Sequence, residues 1–203
     1  MTERGMIFNA EMVRAILDGR KTQTRRPIKW KQTRFTEIGE REDGSKWPWS
    51  EDAEHACDFW HPCPFGAVGD RIWVRETWAR YNIDQNSHDI AYRATTPEDW
   101  PEEGRWRPSI HMPRWASRIL LEITNVRVER LNAISEEDAR AEGIIDGGCL
   151  NCGEPEPCGC ANPEPDATDA FAYLWQSIYG QENWNANPWV WVIEFKRVEG
   201  GAA

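Results

Sequence analysis

The longest regular pattern in this sequence is an alternation of apolar and polar residues at positions 119–131. Such an alternation is typical of a strand with one buried face. Its phase slips near residues 124–125, which predicts a bulge or a bend there. Because the backbone groups of a long strand need hydrogen-bonding partners, the chain must contain a sheet. The apolar members of the pattern are Ile119, Leu121, Ile123, Val126 and Val128.

Shorter patterns predict further strands and three short helices. Asn9 is placed to cap a first helix that ends at Gly19, and Ser135 to cap a second that ends at Gly143. A third, amphipathic helix is expected at residues 169–179. Several strands with only three short helices favour an α+β fold with a small mixed barrel over a doubly wound sheet. The further strands are expected at 6–8, 72–78, 89–94 and 189–198.

Length and charge limit what this protein can be. A chain of 203 residues suits one domain spanning residues 1–203. Three segments rich in proline, tryptophan or charge are expected to be irregular insertions, at 27–67, 79–115 and 144–168. The formal net charge of -10 argues against a general nucleic-acid coat protein. No apolar run is long enough to span a bilayer and no signal peptide is evident, so we expect a cytoplasmic protein without a membrane partner.

Residues 19–26, with the sequence GRKTQTRR, form the most distinctive short segment. Seven Lys or Arg and no Asp or Glu occur within residues 20–34. In an acidic protein, a local cationic run indicates a docking place for an anion or a nucleic-acid component.

This segment and three others resemble the ASCH domain of the PUA-like superfamily. The signature G-x-K-x4-R is matched by Gly19, Lys21 and Arg26, and Gly69-Asp70 precedes a strand. The other two matches are LNAISEEDARAEG at 131–143 and VIEFK at 192–196. The resemblance implies a PUA-like small mixed β-barrel flanked by three short helices. The segment WRPSIHMPRWASR at 106–118 looks like prophage-encoded members of the family.

The same segments are similar to small bacterial ASCH enzymes that deacylate cytidine acetylated on its exocyclic amine. The loop of those enzymes reads GRKT-x-T-x-R, which residues 19–26 match, and their catalytic glutamate corresponds to Glu142. The resemblance therefore implies an amidohydrolase that removes an acyl group from a modified cytidine or a related nucleoside, free or within RNA or DNA. It gives Lys21, Thr24 and Glu142 as the catalytic residues, with no cofactor for catalysis.

The chemistry leaves the division of roles open. Deacylation needs a nucleophile, a proton shuttle and a group that holds the oxyanion, and Thr24 can supply the nucleophilic hydroxyl. Lys21 can act as the base if desolvation or neighbouring cations lower its pKa. Alternatively, Lys21 stays charged and stabilises the oxyanion while Glu142 accepts the proton. Positions 21 and 24 face opposite sides of a regular strand, so the site requires Lys21 to lie in the turn after Gly19, or a bulge.

Four other residues are candidates for substrate binding. The arginines can hold a phosphate or a ribose, and the carboxylate of Glu76 is expected to pair with Arg75 or with an arginine of residues 19–26. The alternative function is a non-catalytic module that binds RNA or a modified base, with tryptophans clamping a flipped base. The four candidates are Arg20, Arg25, Arg26 and Glu76.

Two groups of cysteines have spacings typical of metal ligands. Four thiols lie within twelve residues among Gly and Pro, and they predict a structural zinc site at Cys149, Cys152, Cys158 and Cys160. The alternative is a flexible acidic loop with reduced thiols. A second group combines His55, Cys57, His61 and Cys63, with a spacing that matches no common zinc module. The sequence gives no indication of the oligomeric state.

Overall fold

The computed structural model describes residues 1–29, 37–52, 57–80, 89–101, 104–145 and 167–198. These residues contain ten strands and four α-helices, which confirms the α+β class. The helices are α1 (Ala10–Leu17), α2 (Glu136–Ala141), α3 (Ala167–Tyr179) and α4 (Gln181–Asn185). The strands are β1 (Glu3–Ile7), β2 (Gln23–Pro27), β3 (Glu37–Glu40), β4 (Lys46–Asp52), β5 (Cys57–Trp60), β6 (Arg71–Arg75), β7 (Trp78–Arg80), β8 (Ile90–Tyr92), β9 (Leu120–Arg130) and β10 (Trp189–Arg197).

The strands form one mixed sheet and two small antiparallel sheets. The mixed sheet has the order β1-β6-β9-β10-β2, and its one parallel pair is β1 with β6. The small sheets are β3-β4-β5 and β7-β8. The described strands form no closed barrel, so the PUA-like barrel stays a prediction. None of the described helices is both long and apolar enough to cross a bilayer.

The chain divides into two compact units that alternate along the sequence. The first unit comprises Met1–Gly19, Pro64–Thr124 and Phe195–Ala203, and the second comprises Arg20–Cys63 and Asn125–Glu194. Strand β9 crosses from one unit to the other at Thr124 and Asn125, two consecutive exposed residues. They interrupt the alternation of burial where the sequence predicts the phase slip.

The first unit is built on β1, β6 and the beginning of β9. Helix α1 buries Val13 and Ile16, and the side chain of Asn9 accepts a hydrogen bond from the Met12 amide, which confirms the predicted cap. Gly19 follows the helix with φ +76°, the left-handed conformation expected of a closing glycine. A smaller cluster in this unit joins buried residues of β7 and of residues 112–116 to two half-buried residues of β8.

The second unit packs α2 and α3 against β10. Its core holds Leu131, Phe171, Trp175, Val190 and Val192, among other buried residues. Ser135 caps α2 by accepting a hydrogen bond from the Asp138 amide, as predicted. The cap matters for function because α2 carries both Asp138 and, at its end, Glu142.

Three expectations about regular structure are corrected. The described residues of the segment 27–67 are not all irregular, since they include the sheet β3-β4-β5. Helix α4 adds a fourth helix to the three expected. The strand expected at 72–78 ends at Arg75, and a new one begins at Trp78. The strands predicted at 89–94, 119–131 and 189–198 are confirmed, with ends that differ by at most two residues.

Candidate active site

Residues 19–26 form what we call the signature segment. Residues 20–22 of this segment contact the C-terminal end of α2, and these residues and α2 belong to the second unit. An α-helix leaves its last carbonyls without partners in the helix, and here the segment supplies them. Because cations are favourable beside these carbonyls, the basic residues of the segment suit this position. The contacts are Thr22 N to Ala141 O at 2.8 Å, Lys21 Nζ to Glu142 O at 2.8 Å and Arg20 Nη1 to Gly143 O at 2.8 Å.

Lys21 and Glu142 form a buried ion pair at the centre of the site. Lys21 Nζ lies 2.6 Å from Glu142 Oε2, and the two residues also form an isolated β-bridge. Burial lowers the pKa of Lys21 below its ordinary value, although the charge of Glu142 and its hydrogen bond act in the opposite direction. The charges of Arg26 and Arg25 lower this pKa further. A lysine in this position loses its proton more readily than a free one.

Arg25 joins Glu142 to two further carboxylates. Its guanidinium lies 3.3 Å from Glu142 Oε1, 2.7 Å from Asp138 Oδ2 and 3.2 Å from Glu129 Oε2. The side chain is buried, so these ion pairs are shielded from water. Arg25 therefore holds one oxygen of Glu142 while Lys21 holds the other.

Arg127 extends the network on the side of Asp138. It contacts Asp138 Oδ2 at 3.0 Å and also pairs with Glu129 and Glu194. Burial alone would raise the pKa of Asp138, but the hydrogen bond and charge of Arg25 and the charge of Arg127 outweigh it and lower the pKa. The network thus combines three cationic side chains with four carboxylates.

Thr24 lies in β2, buried and paired with Ile193 of β10. Gln23 and Arg25 both donate to residues of α2, so they share one face of β2. Alternation along a strand turns the side chain of Thr24 to the opposite face. Among the described residues, the hydrogen bonds that link Lys21, Arg25 and Glu142 do not include the Thr24 hydroxyl. The structure therefore brings together two members of the predicted trio, and Lys21 precedes β2 as the site requires.

The candidate binding residues fall in different places. Arg20 contacts the end of α2, Arg25 belongs to the buried network, and Arg26 is half-buried on β2. Glu76 lies in the first unit, where Arg118 holds it with two bonds of 2.9 and 3.0 Å. The expected pairing of Glu76 with Arg75 or with a signature arginine is wrong, because Arg118 occupies both carboxylate oxygens.

Sequence reasoning missed most of the residues around the ion pair. From the sequence, Asp138 was recognised only as an acidic residue in the first turn of α2. Acidic residues are common in first turns because they interact favourably with the helix dipole. Arg127 and Glu129 are two residues apart on β9, so they share a face, and this was the one available signal. The missed residues of this network are Gln23, Arg127, Glu129, Asp138 and Glu194, and Arg118 was missed as the partner of Glu76 in the first unit.

The predicted zinc ligands Cys149, Cys152, Cys158 and Cys160 lie outside the described residues, and so does His55 of the second group. Of the rest of that group, Cys57 is exposed and Cys63 is buried. His61 Nε2 is 2.9 Å from Ser50 Oγ. Within the described ranges, no three His, Cys, Asp or Glu side chains are grouped as metal ligands. The four-cysteine zinc site stays a prediction.

Comparison with models of protein families, with curated proteins and with solved structures finds no match for this chain.

Proposed function

We propose that this protein is an amidohydrolase that removes an acyl group from the exocyclic amine of a modified cytidine or a related nucleoside. We also propose that its sheets belong to a PUA-like barrel of the ASCH type. The observation that carries the proposal is the buried contact of 2.6 Å between Lys21 Nζ and Glu142 Oε2. The resemblance of residues 19–26 and 131–143 to ASCH deacylases supports the same assignment.

Lys21 is suited to act as the base. A neutral amine has two N–H groups, which match its two acceptors, the carbonyl and the carboxylate of Glu142. Its lone pair is then left to take a proton. When Lys21 becomes charged, the Glu142 carboxylate stabilises the new ammonium, and burial strengthens this attraction. Arg25 keeps Glu142 in place through its second oxygen.

The reaction is then a proton relay. A hydroxyl oxygen attacks the acyl carbon while its proton passes to Lys21 Nζ. The same proton moves to the exocyclic nitrogen as the carbon–nitrogen bond breaks, which releases cytidine and leaves the acyl group on the attacking oxygen. If that oxygen belongs to Thr24, the product is an ester that water hydrolyses in a second step. If it belongs to water, the carboxylic acid forms directly.

The test is turnover of N4-acetylcytidine, measured by the release of cytidine and acetate. We expect Lys21→Met and Glu142→Gln to lower kcat/KM by about 10²- to 10⁴-fold, the usual contribution of a positioned acid or base. The matched control is Lys196→Met, which removes the lysine of a Lys–Glu pair (2.9 Å) in the first unit and should leave turnover unchanged. Melting temperatures of all variants separate loss of chemistry from loss of fold.

Thr24→Ala decides the nucleophile. Loss of turnover, with an acyl adduct on the wild-type chain in intact-mass spectra after a rapid quench, identifies Thr24. Retained turnover identifies water. Wild-type protein that hydrolyses no acylated nucleoside, or full activity in Lys21→Met, would rule the proposal out.

A further inference from the structure

The first unit carries a surface of arginine and tryptophan that the proposed chemistry does not use. Residues 104–121 hold four arginines and two tryptophans and no Asp or Glu. This is an unusual concentration of positive charge in a chain of net charge -10. We define the arginine–tryptophan surface as the exposed residues Arg80, Arg107 and Trp115. The ring of Trp78, which contacts Arg107 and Trp115, is buried.

Trp115 is the exposed aromatic residue of this surface. Its residue surface is 58% exposed, although tryptophan usually hides most of its indole. Its ring meets the ring of Trp78 at 88°, with 5.7 Å between the centroids. Arg80 Cζ lies 5.6 Å from the centroid of Trp115, and Arg107 Cζ lies 5.3 Å from that of Trp78. One guanidinium, that of Arg80, thus lies beside the open indole of Trp115, and a second, that of Arg107, lies beside the buried ring that Trp115 contacts.

The support beneath Trp115 is well packed. Met112 and Ala116, on either side of it in sequence, are buried in one cluster with Trp78. Ser117 donates a 2.7 Å hydrogen bond to the carbonyl of Val74, and Tyr92 donates a 2.9 Å bond to the carbonyl of Ala116. The exposed ring therefore stands on a fixed backbone, which reduces the entropy lost when a ligand stacks on it.

The charge of this surface is not neutralised by nearby acids in the described residues. Arg118 pairs with Glu76 and Arg114 with Glu3, whereas the described ion pairs include neither Arg80 nor Arg107.

We propose that the arginine–tryptophan surface binds single-stranded nucleic acid. A base stacks on Trp115, and the flanking phosphates pair with Arg80 and Arg107. Stacking on an aromatic side chain together with arginine–phosphate contacts is how proteins hold single strands without reading their sequence. An acidic peptide would satisfy the arginines but would leave the indole unused, so the exposed ring favours a nucleic acid. This site is independent of the proposed amidohydrolase activity.

The test is binding of fluorescein-labelled oligocytidine of about 12 nucleotides, a length within the usual site size. Fluorescence anisotropy is measured for RNA and DNA over a range of salt concentrations. We expect Trp115→Ala to weaken binding about tenfold or more and Trp115→Phe to retain part of it. Arg107→Gln should reduce the slope of log K against log salt by about 0.7, the value for one phosphate contact on a single strand.

Two matched controls lie in the second unit. Tyr173→Ala removes an aromatic residue that is 66% exposed, and Arg41→Gln removes an arginine whose Cζ lies 4.2 Å from the ring centroid of Trp47. Both should bind as the wild type does. The proposal is overturned if the wild type binds neither oligonucleotide, or if Trp115→Ala binds with unchanged affinity. It is also overturned if polyglutamate competes as well as RNA does. Because the readout is binding, this result does not depend on whether N4-acetylcytidine is hydrolysed.

Discussion

Lys21 has an environment that differs sharply from that of a lysine in water. Its ammonium group lies in the interior, within reach of one carboxylate, and two arginines lower its pKa further. Removing one partner of a buried ion pair typically costs about 3–5 kcal/mol, because the other charge is left uncompensated. Glu142 retains Arg25 when Lys21 is removed, so we expect a smaller loss here.

The pH dependence of turnover tests the role of Lys21 as a base. The neutral amine is the active form, so kcat/KM should rise with pH through the lowered pKa of Lys21 and reach a plateau above it. The rise should therefore be centred below 10.5, the ordinary value for lysine. The measurement is kcat/KM for N4-acetylcytidine across the pH range in which the fold is stable. Residual activity of Lys21→Met that showed the same rise would assign the titration to another group.

Helix α2 is the element on which the candidate site depends most. It has only six residues, yet its first turn presents Asp138 to Arg25 and its C-terminal cap is Glu142. A helix this short is not stable alone in water, so its two ends must be fixed by other parts of the chain. Ser135 fixes one end, and the signature segment fixes the other.

Loss of the Ser135 cap should be measurable as a change in the free energy of unfolding. Ser135→Ala removes the acceptor for the Asp138 amide and should destabilise the protein by about 1 kcal/mol, whereas Ser135→Asp should restore most of that loss. Urea denaturation gives both values. Asn9→Ala, at the matching cap of α1 in the first unit, is the control for stability and should leave turnover intact. If Ser135→Ala lowered turnover no more than Asn9→Ala does, α2 would have no special role in the site.

The sequence correctly predicted features that depend on one residue and its immediate neighbours in the chain. Asn9, Gly19 and Ser135 mark helix ends through their own side chains or their own backbone conformation, and these positions are confirmed. The sheet β3-β4-β5 was missed because its short strands show little apolar periodicity, and the residues of β3 and β5 are exposed or half-buried. Helix α4, with the sequence QENWN, likewise has no apolar stripe.

The resemblance correctly predicted that Lys21 and Glu142 lie together, whereas contacts made outside the matched motifs were not predicted. Lys21 and Glu142 were paired through the resemblance, although 121 positions separate them. The partners of Arg25 come from β9 and α2, and nothing in the sequence states that these elements meet β2. The sequence likewise did not indicate that Arg118 pairs with Glu76, since the two residues are 42 positions apart.

At the scale of the whole molecule, carboxylates with lowered pKa values occur in both units. Backbone hydrogen bonds from Thr2 and Ala67 help lower the pKa of Asp70 to about 2, and a hydrogen bond from Lys196 lowers that of Glu122. In the second unit, the pKa of Asp138 is lowered as well. Because the pKa of each of these carboxyl groups is lower in the folded protein, its ionised form stabilises the folded state at pH values above the ordinary carboxyl pKa. This stabilisation is lost as the pH falls through the pKa that the group has in the folded state.

We therefore expect the free energy of unfolding to be nearly constant from neutral pH down to about pH 5 and to fall towards pH 2. Asp138→Asn should make this fall shallower, because one of the groups that titrates in this range is gone. The measurement is urea denaturation at a series of pH values, with Glu182→Gln, a surface residue of α4, as the control. An unchanged slope in Asp138→Asn would show that the Arg25 and Arg127 contacts do not perturb its titration in solution.

The alternation of the two units along the chain has a consequence for biosynthesis. Strand β10 supplies Val190 and Val192 to the core of the second unit, and the first unit takes in the chain from Phe195 onwards, where Phe195 contacts Phe8. Neither unit therefore has all its parts until the last strand has left the ribosome. Until then a nascent chain leaves apolar residues of both units without their partners, which favours aggregation during synthesis.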